Sequence, residues 1–418
     1  MKIAKKIAAV LAASLIFTAL LSGFMVPAAP ALNAPAEVDL TPRDDYDWMR
    51  LSEEGITLNV YNWGEYISDG TDGESLDVNA AFEALTGIKV NYTTFDTNES
   101  LYAKLKSGGA NYDVIIPSDY MIGKMINEDM LAPLNFANIP NFEFIGAEYR
   151  GLDYDKNDAY SVPYTWGYVG IIYNTTMVDD VVDSWEILWS EKYKNNILMF
   201  DNSRDAFAIA SKKLGLSLNP TTAGEIDAAA HELMNQKDVV QGYVMDQIFD
   251  KMEGGEAALA PYYAGDAITM IEENPDLAFA VPKEGTNFFV DAACVPAGSK
   301  NQEAAEMYIN FLCEPGVSLE NTLYIGYSTP NTEAEEMLPD DWKNDPIAYP
   351  DAEVLANTET FNVLPDELNA HMDKAWSDMR GGNASGNGWI IPVALGAAIV
   401  IVVLVVVLGK KRKKRNSY

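Results

Sequence analysis

The chain has 418 residues, of which 48% are hydrophobic and 11% aromatic, so it is long enough for two globular domains with large cores. It carries 62 acidic against 29 basic residues, and its net charge of −33 repels nucleic acid and attracts cations. Two cysteines exclude a disulfide-rich scaffold, and two histidines on separate segments give no zinc signature, so we expect no metal and no cofactor.

The first residues have the pattern of an export signal. Residues 1–31 begin with lysines, continue with an apolar run and end in the small residues Ala29-Pro30-Ala31, which form a cleavage pattern. Residues 32–54 are rich in Pro, Asp and Glu and are predicted to be a linker. The sequence therefore predicts an exported body that begins near Ile56.

Apolar strands and amphipathic helices alternate through that body. The pattern predicts an α/β fold with parallel strand pairing, with strands at 56–61, 88–95, 113–116, 169–173 and 197–200 and helices at 78–85, 101–106, 204–213 and 223–234. Cys294 is predicted to lie on a strand and Cys313 in a helix, and either a disulfide between them or two buried thiols is compatible with the sequence.

The carboxyl-terminal end is predicted to anchor the chain. Residues 381–388 are a Gly- and Asn-rich flexible linker, and residues 389–408 form a 20-residue uncharged span, which is the length of a transmembrane helix. Residues 409–418 carry six bases and are predicted to be cytoplasmic. The expected localisation is the cell membrane, crossed once, with the acidic body on the extracytoplasmic side.

Aromatic and acidic residues recur after the predicted strands, where open α/β sheets bind ligands. Carboxylates match the charge of a cation, and aromatic faces attract it further. The pattern predicts a cleft for a cationic ligand, and its segments are Asn62–Tyr66, Pro117–Tyr120, Asp201–Asp205, Pro261–Asp266, Phe288–Asp291 and Gly326–Asn331.

From residue 56 to about 380 the chain resembles the extracytoplasmic spermidine/putrescine-binding proteins of bacterial ABC importers. The resemblance rests on ordered motifs that include Tyr61-Asn62-Trp63, Tyr112-Asp113-Val114, Pro282-Lys283-Glu284-Gly285 and Thr329-Pro330-Asn331. It implies a type II periplasmic-binding-protein fold with a polyamine in the cleft between two lobes, and an importer permease with its ATPase subunit as partner. It places lobe 1 at 55–164 and 292–335, and lobe 2 at 165–291 and 336–380.

The resemblance also implies the ligand-binding residues. Asp205 stands where the spermidine binders have Glu, Asn202 where they have Asp beside Asp201, and Phe361 where they have Gln. Asp266 resembles the putrescine-binding branch, so both amines remain open. The implied ligand-binding set is Trp63, Tyr66, Ser118, Tyr120, Asp201, Asp205, Tyr263, Asp266, Phe289, Asp291 and Tyr327.

Two alternatives compete with this reading. Asp266 and Asp291 could form the carboxylate pair of an extracellular glycosidase with aromatic sugar platforms. Against an enzyme, the sequence has no nucleophile elbow, phosphate loop or zinc signature. The second alternative is a binding protein of the same fold for another small organic ligand, although an oxyanion would require Arg, Lys or clustered backbone N–H groups.

Overall fold

The computed structural model of the protein describes residues 42–108 and 111–381. Their strands form one mixed sheet whose main path has the order β2-β1-β3-β9-β4-β7-β5-β6, with β10 paired to β9 and β8 paired to β4. The strands are β1 (Thr57–Trp63), β2 (Lys89–Phe95), β3 (Val114–Ile115), β4 (Ser161–Asn174), β5 (Ile197–Phe200), β6 (Val240–Val244), β7 (Leu259–Tyr263), β8 (Leu277–Ala280), β9 (Thr286–Cys294) and β10 (Thr358–Glu359).

Helices cover the sheet, and their ends follow from local chemistry. The first helix begins where the Asp77 carboxylate accepts from the Ala80 N–H and ends at Gly87, whose φ of 74° favours glycine. The α-helices are α1 (Val78–Thr86), α2 (Asn98–Lys106), α3 (Asp119–Asn127), α4 (Ser203–Lys213), α5 (Ala223–Gln236), α6 (Gln247–Glu253), α7 (Ala264–Glu273), α8 (Gln302–Leu312), α9 (Pro315–Ile325), α10 (Thr332–Met337), α11 (Asp340–Lys343), α12 (Ala352–Ala356) and α13 (Asp366–Gly381).

The long strand β4 joins the two halves of the sheet. Its first part pairs antiparallel with β9, and its second part, Val169–Tyr173, pairs antiparallel with β7. The parallel pairing predicted for β1, β2 and β3 is confirmed, and β5 is also parallel to β6 and β7. The predicted strand 169–173 is the second part of β4. The first part of β4 and its antiparallel pairing with β9 were not predicted, because Pro163 interrupts the apolar pattern; the register shifts between Pro163 and Thr165.

Three buried hydrophobic clusters pack against the sheet, and the two largest form the cores of its two halves. One core gathers around β4, β5 and β7 and contains Trp185, which is fully buried and donates from Nε1 to the Gly285 carbonyl at 2.9 Å. The other surrounds β1, α1 and α8 and contains Phe82 and Tyr308. Tyr263 packs against both cores. The ends of the strands in both halves therefore approach each other near Tyr263.

Four sequence predictions concern the ends of the chain and the thiols. Residues 42–54 belong to the packed body rather than to a free linker, since Trp48 and Leu51 are buried in the second core. Cys294 and Cys313 are both buried free thiols. Within residues 42–108 and 111–381 no helix is long and apolar enough to cross a membrane. The predicted signal at 1–31 and the span at 389–408 lie outside the described residues.

Candidate functional site

A cavity lies where the two halves of the sheet meet. It encloses about 570 Å³ of space between protein atoms, part of it open to solvent. Ten of the eleven sequence-predicted site residues line it, namely Trp63, Tyr66, Ser118, Tyr120, Asp205, Tyr263, Asp266, Phe289, Asp291 and Tyr327. The remaining lining residues are Gly64, Asn98, Asn202, Met245, Asp246, Tyr262, Asn287 and Phe361.

Most of these side chains are positioned by the carboxyl ends of parallel strands. Trp63 is the last residue of β1, and Ser118 follows β3 by three residues. In the other half of the sheet, Asn202 follows β5 by two residues and Asp266 follows β7 by three. In open α/β sheets, ligands bind in the crevice outside the carboxyl ends of the strands. Polar side chains of the loops at this edge are therefore in position to contact a ligand.

Two of the predicted residues are positioned differently from what the sequence indicated. Asp291 lies within β9 rather than at a strand end, opposite Thr165 of β4. Tyr327 follows α9 and not a strand, after Gly326 ends that helix with φ 80°. Both side chains still reach the cavity, because β9 crosses between the halves of the sheet and the turn after α9 lies against α7.

Asp201 is the predicted residue that does not line the cavity. Its backbone N–H donates to the Val244 carbonyl and continues the pairing of β5 with β6. Its carboxylate accepts from the Arg380 guanidinium at 3.1 Å on the surface. The neighbouring Asn202 faces inward instead, where its side chain accepts from the Arg204 N–H at 3.0 Å and begins α4.

Asp291 is the most deeply buried carboxylate of the cavity wall, with 4% of its surface exposed. The Tyr66 hydroxyl donates to Oδ2 of Asp291 at 2.8 Å, and Oδ1 has no hydrogen-bond partner among the described residues. Burial raises the pKa of Asp291 to about 6, and the neighbouring hydroxyls of Ser118 and Tyr66 oppose that rise. A buried carboxylate oxygen without a partner is costly, so this atom is suited to receive a cationic donor.

Each of two further carboxylates also accepts a hydrogen bond from a tyrosine hydroxyl. Tyr263 donates to Asp205 at 2.8 Å, and Tyr327 donates to Asp266 at 2.9 Å. Burial raises the pKa of Asp205 to about 7 and the pKa of Asp266 well above its ordinary value. Within the described chain, no Lys or Arg forms an ion pair with Asp205, Asp266 or Asp291. The cavity thus contains three oriented acids without a cation.

A fourth acid lies behind the cavity wall. Asp119, the first residue of α3, is buried, and its Oδ2 accepts weakly from the Val290 N–H at 3.4 Å. Burial and, to a smaller extent, the nearby charge of Asp291 raise the pKa of Asp119 to about 8. Asp119 is therefore largely protonated near neutral pH while Asp291 ionises.

Aromatic rings form the walls between the acids. Phe289 contacts Tyr263 edge-on, with ring centroids 5.5 Å apart, and Tyr66 contacts Tyr327 edge-on at 4.7 Å. The Tyr327 ring lies directly on the first turn of α7, since a Cβ on Gly265 would lie 2.3 Å from it. Only glycine at this position allows Tyr327 to approach and reach Asp266. The faces left free can contact methylene and ammonium groups.

The buried guanidinium of Arg204 does not line the cavity but contacts two aromatic rings that do. Arg204 lies over the rings of Phe361 and Tyr120, 4.6 Å and 5.3 Å from their centroids, and donates to the Asn362 carbonyl at 2.9 Å. Burial lowers the pKa of Arg204. The cation is therefore held by aromatic faces and a carbonyl, and the Asp205 carboxylate remains free to face the cavity.

Residues 78–350 match the family of bacterial extracellular solute-binding proteins. The spermidine/putrescine-binding periplasmic protein of Salmonella typhimurium is 37% identical over 75% of this chain and 89% of its own length. The putrescine-binding periplasmic protein PotF of Escherichia coli is 28% identical over 79% and 93%.

Comparison with solved structures indicates the same family. The solved structure of a putative spermidine/putrescine ABC transporter from Listeria monocytogenes is similar with a TM-score of 0.74 and 36% identity, over 78% of this chain and 98% of that one. The chain has the α/β fold of periplasmic binding proteins, and it belongs to the bacterial extracellular solute-binding proteins, in the family of the spermidine/putrescine-binding periplasmic proteins.

Proposed function

We propose that the protein captures a polyamine, putrescine or spermidine, outside the cytoplasm and delivers it to the permease of an ABC importer. The observation that carries the proposal is the set of three buried carboxylates, Asp205, Asp266 and Asp291, each oriented by a tyrosine hydroxyl and unpaired with any cation among the described residues. The similarity to a spermidine/putrescine-binding periplasmic protein at 37% identity also supports it.

The physical basis is charge compensation in a place that excludes water. Buried charges lose the solvation that water provides, and they are stable only when an opposite charge and further hydrogen bonds replace it. A polyamine supplies ammonium groups at intervals along an apolar chain. In this proposal the ammonium groups bind the three acids, and the methylenes pack between Trp63, Tyr263 and Phe289.

We propose two lobes of the type II arrangement, 55–164 with 292–335 and 165–291 with 336–380, that close over the ligand. The proposal is supported by β4 and β9, which run across the first two of the three lobe boundaries, after residues 164 and 291, and would act as connecting segments. Closure creates the surface that the permease recognises, and a separate subunit hydrolyses ATP. The binding protein itself performs no chemistry.

Calorimetric titration of the full chain with putrescine, spermidine and spermine tests the proposal. We expect saturable binding of at least one amine and no change in the amine after prolonged incubation. Maltose and an oligosaccharide serve as controls for the glycosidase alternative, which predicts binding and cleavage of a sugar. A chain that binds none of the three amines contradicts the proposed substrate class.

The aromatic walls provide a first prediction about affinity. Changing Trp63 or Tyr263 to Ala should weaken polyamine binding by about 1–3 kcal/mol, because an aromatic face and its buried area are lost. Tyr263→Phe keeps the ring and removes only the bond to Asp205, so it should cost about 1 kcal/mol. Titration of folded variants measures these differences, and parental affinity in both Ala variants would contradict the aromatic contacts.

We also propose, from the sequence, that one membrane-spanning helix anchors the protein in the cell membrane. The uncharged span 389–408 is followed by six bases, and residues 1–31 carry the export pattern. Truncation after residue 388 should release a soluble protein that still binds polyamine, whereas the full chain should sediment with membranes. A truncated protein that remains in the membrane fraction would refute the anchor.

A further inference from the structure

Asn287 is a polar residue in the mostly apolar strand β9, and only 5% of its surface is exposed. Its Nδ2 donates to Oδ1 of Asp205 at 3.4 Å. Its own Oδ1 is buried and has no hydrogen-bond partner among the described residues. A buried amide with an unpaired oxygen costs stability that an apolar side chain of the same size would not cost. Packing alone therefore does not explain an asparagine here, and its contact with Asp205 is the feature that an apolar residue could not provide.

A second, smaller cavity lies next to the ligand cavity. It encloses about 200 Å³ of space between protein atoms, part of it open to solvent. Asp205 and Asn287 line both cavities and form the wall that the two share. The other residues that line the second cavity are Val169, Trp185, Ala208, Ile209, Lys212 and Thr286. The Asp205 side chain thus has free space on two sides, and packing does not decide which cavity its carboxylate faces.

Lys212 makes the second cavity attractive to a carboxylate. It lies seven residues after Asp205 on α4, near the same face of the helix, and it is buried. Its ammonium group pairs with the carboxylate of Glu359, which also accepts from the Ser217 hydroxyl. A further carboxylate that turned toward this ammonium group would gain a favourable charge interaction. In that orientation Asp205 would no longer present its charge to the ligand.

Two hydrogen bonds oppose such a rotation. Tyr263 donates to Oδ2 of Asp205 at 2.8 Å, and Asn287 donates to Oδ1 at 3.4 Å. Each carboxylate oxygen has its own donor, and the two donors come from different strands, β7 and β9. Accepting the proposed function, we propose that Asn287 is a positioning residue, which keeps the Asp205 carboxylate directed at the ligand and away from Lys212.

The groups around Asp205 set the pH range in which it binds an amine. Burial raises its pKa to about 7, and the charge of Glu99 acts in the same direction. The hydrogen bonds from Tyr263 and Asn287 and the charge of Arg204 act in the opposite direction. The titratable and charged groups that face Asp205 are Glu99 of α2, Tyr120 of α3, Arg204 and Lys212 of α4, and Tyr262 and Tyr263 of β7. A substitution of Asn287 leaves all of them in place, so a change in the pH dependence of binding reports the lost amide.

Calorimetry on the full chain in detergent micelles, with putrescine and spermidine, tests the proposal. Asn287→Leu removes the amide with little change in volume, and it should weaken the binding of both amines about three- to tenfold near neutral pH. Asn287→Ala removes the same donor and should have a similar effect. Both variants should need a pH higher by about half a unit to bind as they would with Asp205 ionised in the parent. The unfolding free energy of ligand-free Asn287→Leu should be no lower than that of the parent, whereas a merely structural residue would lose stability.

Lys212→Met separates positioning from a general loss of structure. In the parent it should change the affinity for either amine by less than about twofold, because Lys212 does not line the ligand cavity. Combined with Asn287→Leu it should restore most of the lost affinity, because the competing cation is gone. Asn235→Leu makes the same change at an exposed position of α5 that lines neither cavity, and this control should bind as the parent does.

Each outcome decides for or against the role of Asn287. Parental affinity and pH dependence in both Asn287→Leu and Asn287→Ala would overturn it. A loss of affinity that Lys212→Met does not reverse would also overturn it, since such a loss would not depend on the direction of the Asp205 side chain. A parent protein that binds neither amine would refute the proposed function itself, whereas a parent that binds them and variants that behave like it refute only this inference.

Discussion

Asp291→Asn is expected to abolish polyamine binding while the protein remains folded. The substitution keeps the shape of the side chain and the contact with Tyr66 but removes the charge of the most buried carboxylate in the cavity. Removing one partner of a buried ion pair leaves the other charge uncompensated and costs about 3–5 kcal/mol, which is on the order of a 10²- to 10³-fold or greater loss of affinity.

Asp201→Asn is the matched control, because it removes the same charge from an acid that lies outside the cavity and pairs with Arg380 on the surface. Its affinity should equal that of the parent. Calorimetry and circular dichroism on both variants measure binding and folding. An Asp291→Asn protein that binds putrescine and spermidine as tightly as the parent would remove Asp291 from the site.

The second large effect is on the pH dependence of stability. Asp291, Asp205 and Asp119 have pKa values raised to about 6, about 7 and about 8 by burial, compared with about 3.9 for an unfolded aspartate. Between about pH 4 and about pH 8, these three groups bind more protons in the folded protein than in the unfolded chain. Its free energy of unfolding therefore falls as pH rises from about 4 to about 8.

Each unit of upward shift corresponds to about 1.4 kcal/mol, so these groups together should lower the unfolding free energy of the ligand-free protein by several kcal/mol over that range. Urea unfolding at about pH 5 and about pH 8 without polyamine measures the change. Asp205→Asn should reduce the slope, since its amide does not titrate. An unfolding free energy that is constant or rises with pH would contradict the raised pKa values of these buried acids.

Polyamine binding should show the opposite trend. A cationic ligand favours ionised Asp205 and Asp291, so affinity should rise between about pH 5 and about pH 8, and binding near neutral pH should release protons. Calorimetry in buffers with different ionisation enthalpies detects that release. A binding enthalpy that is independent of the buffer would contradict the coupling.

Several residues that the sequence placed near the cleft do line the cavity, and their positions follow from strand periodicity. Trp63, Ser118, Asp205 and Asp266 lie at the carboxyl ends of parallel strands, where a short apolar run in the sequence ends. Tyr327 was also predicted by the strand-end pattern, within Gly326–Asn331, although it follows a helix and not a strand. Their roles in binding remain predictions.

Physical reasons also explain why the sequence analysis did not indicate two other residues of the cavity wall. Asp246 obeys the same strand-end rule as Asp205, but β6 is short and polar at Gln241 and Gly242, so its apolar pattern is too weak to indicate a strand. Asn287 lies in β9, and its amide donates to Asp205 only because of pairing between distant segments. Such long-range contacts leave no local signal. The sequence analysis placed Asp201 in the cavity because it is next to Asn202, but the two side chains point in different directions and Asp201 lies on the surface.

The three tyrosine–aspartate pairs give the site a simple route for evolutionary change. A single-base substitution converts a tyrosine codon to a phenylalanine codon, which deletes the hydroxyl of Tyr66, Tyr263 or Tyr327 and preserves the ring. Each such step removes one hydrogen bond, or two at Tyr66, which also contacts the Thr165 hydroxyl. Each bond is worth about 0.5–1.5 kcal/mol, and the net charge of the cavity is unchanged. Descendants of this chain could thus adjust their affinity to the local supply of amine in small increments, without passing through a form that cannot bind.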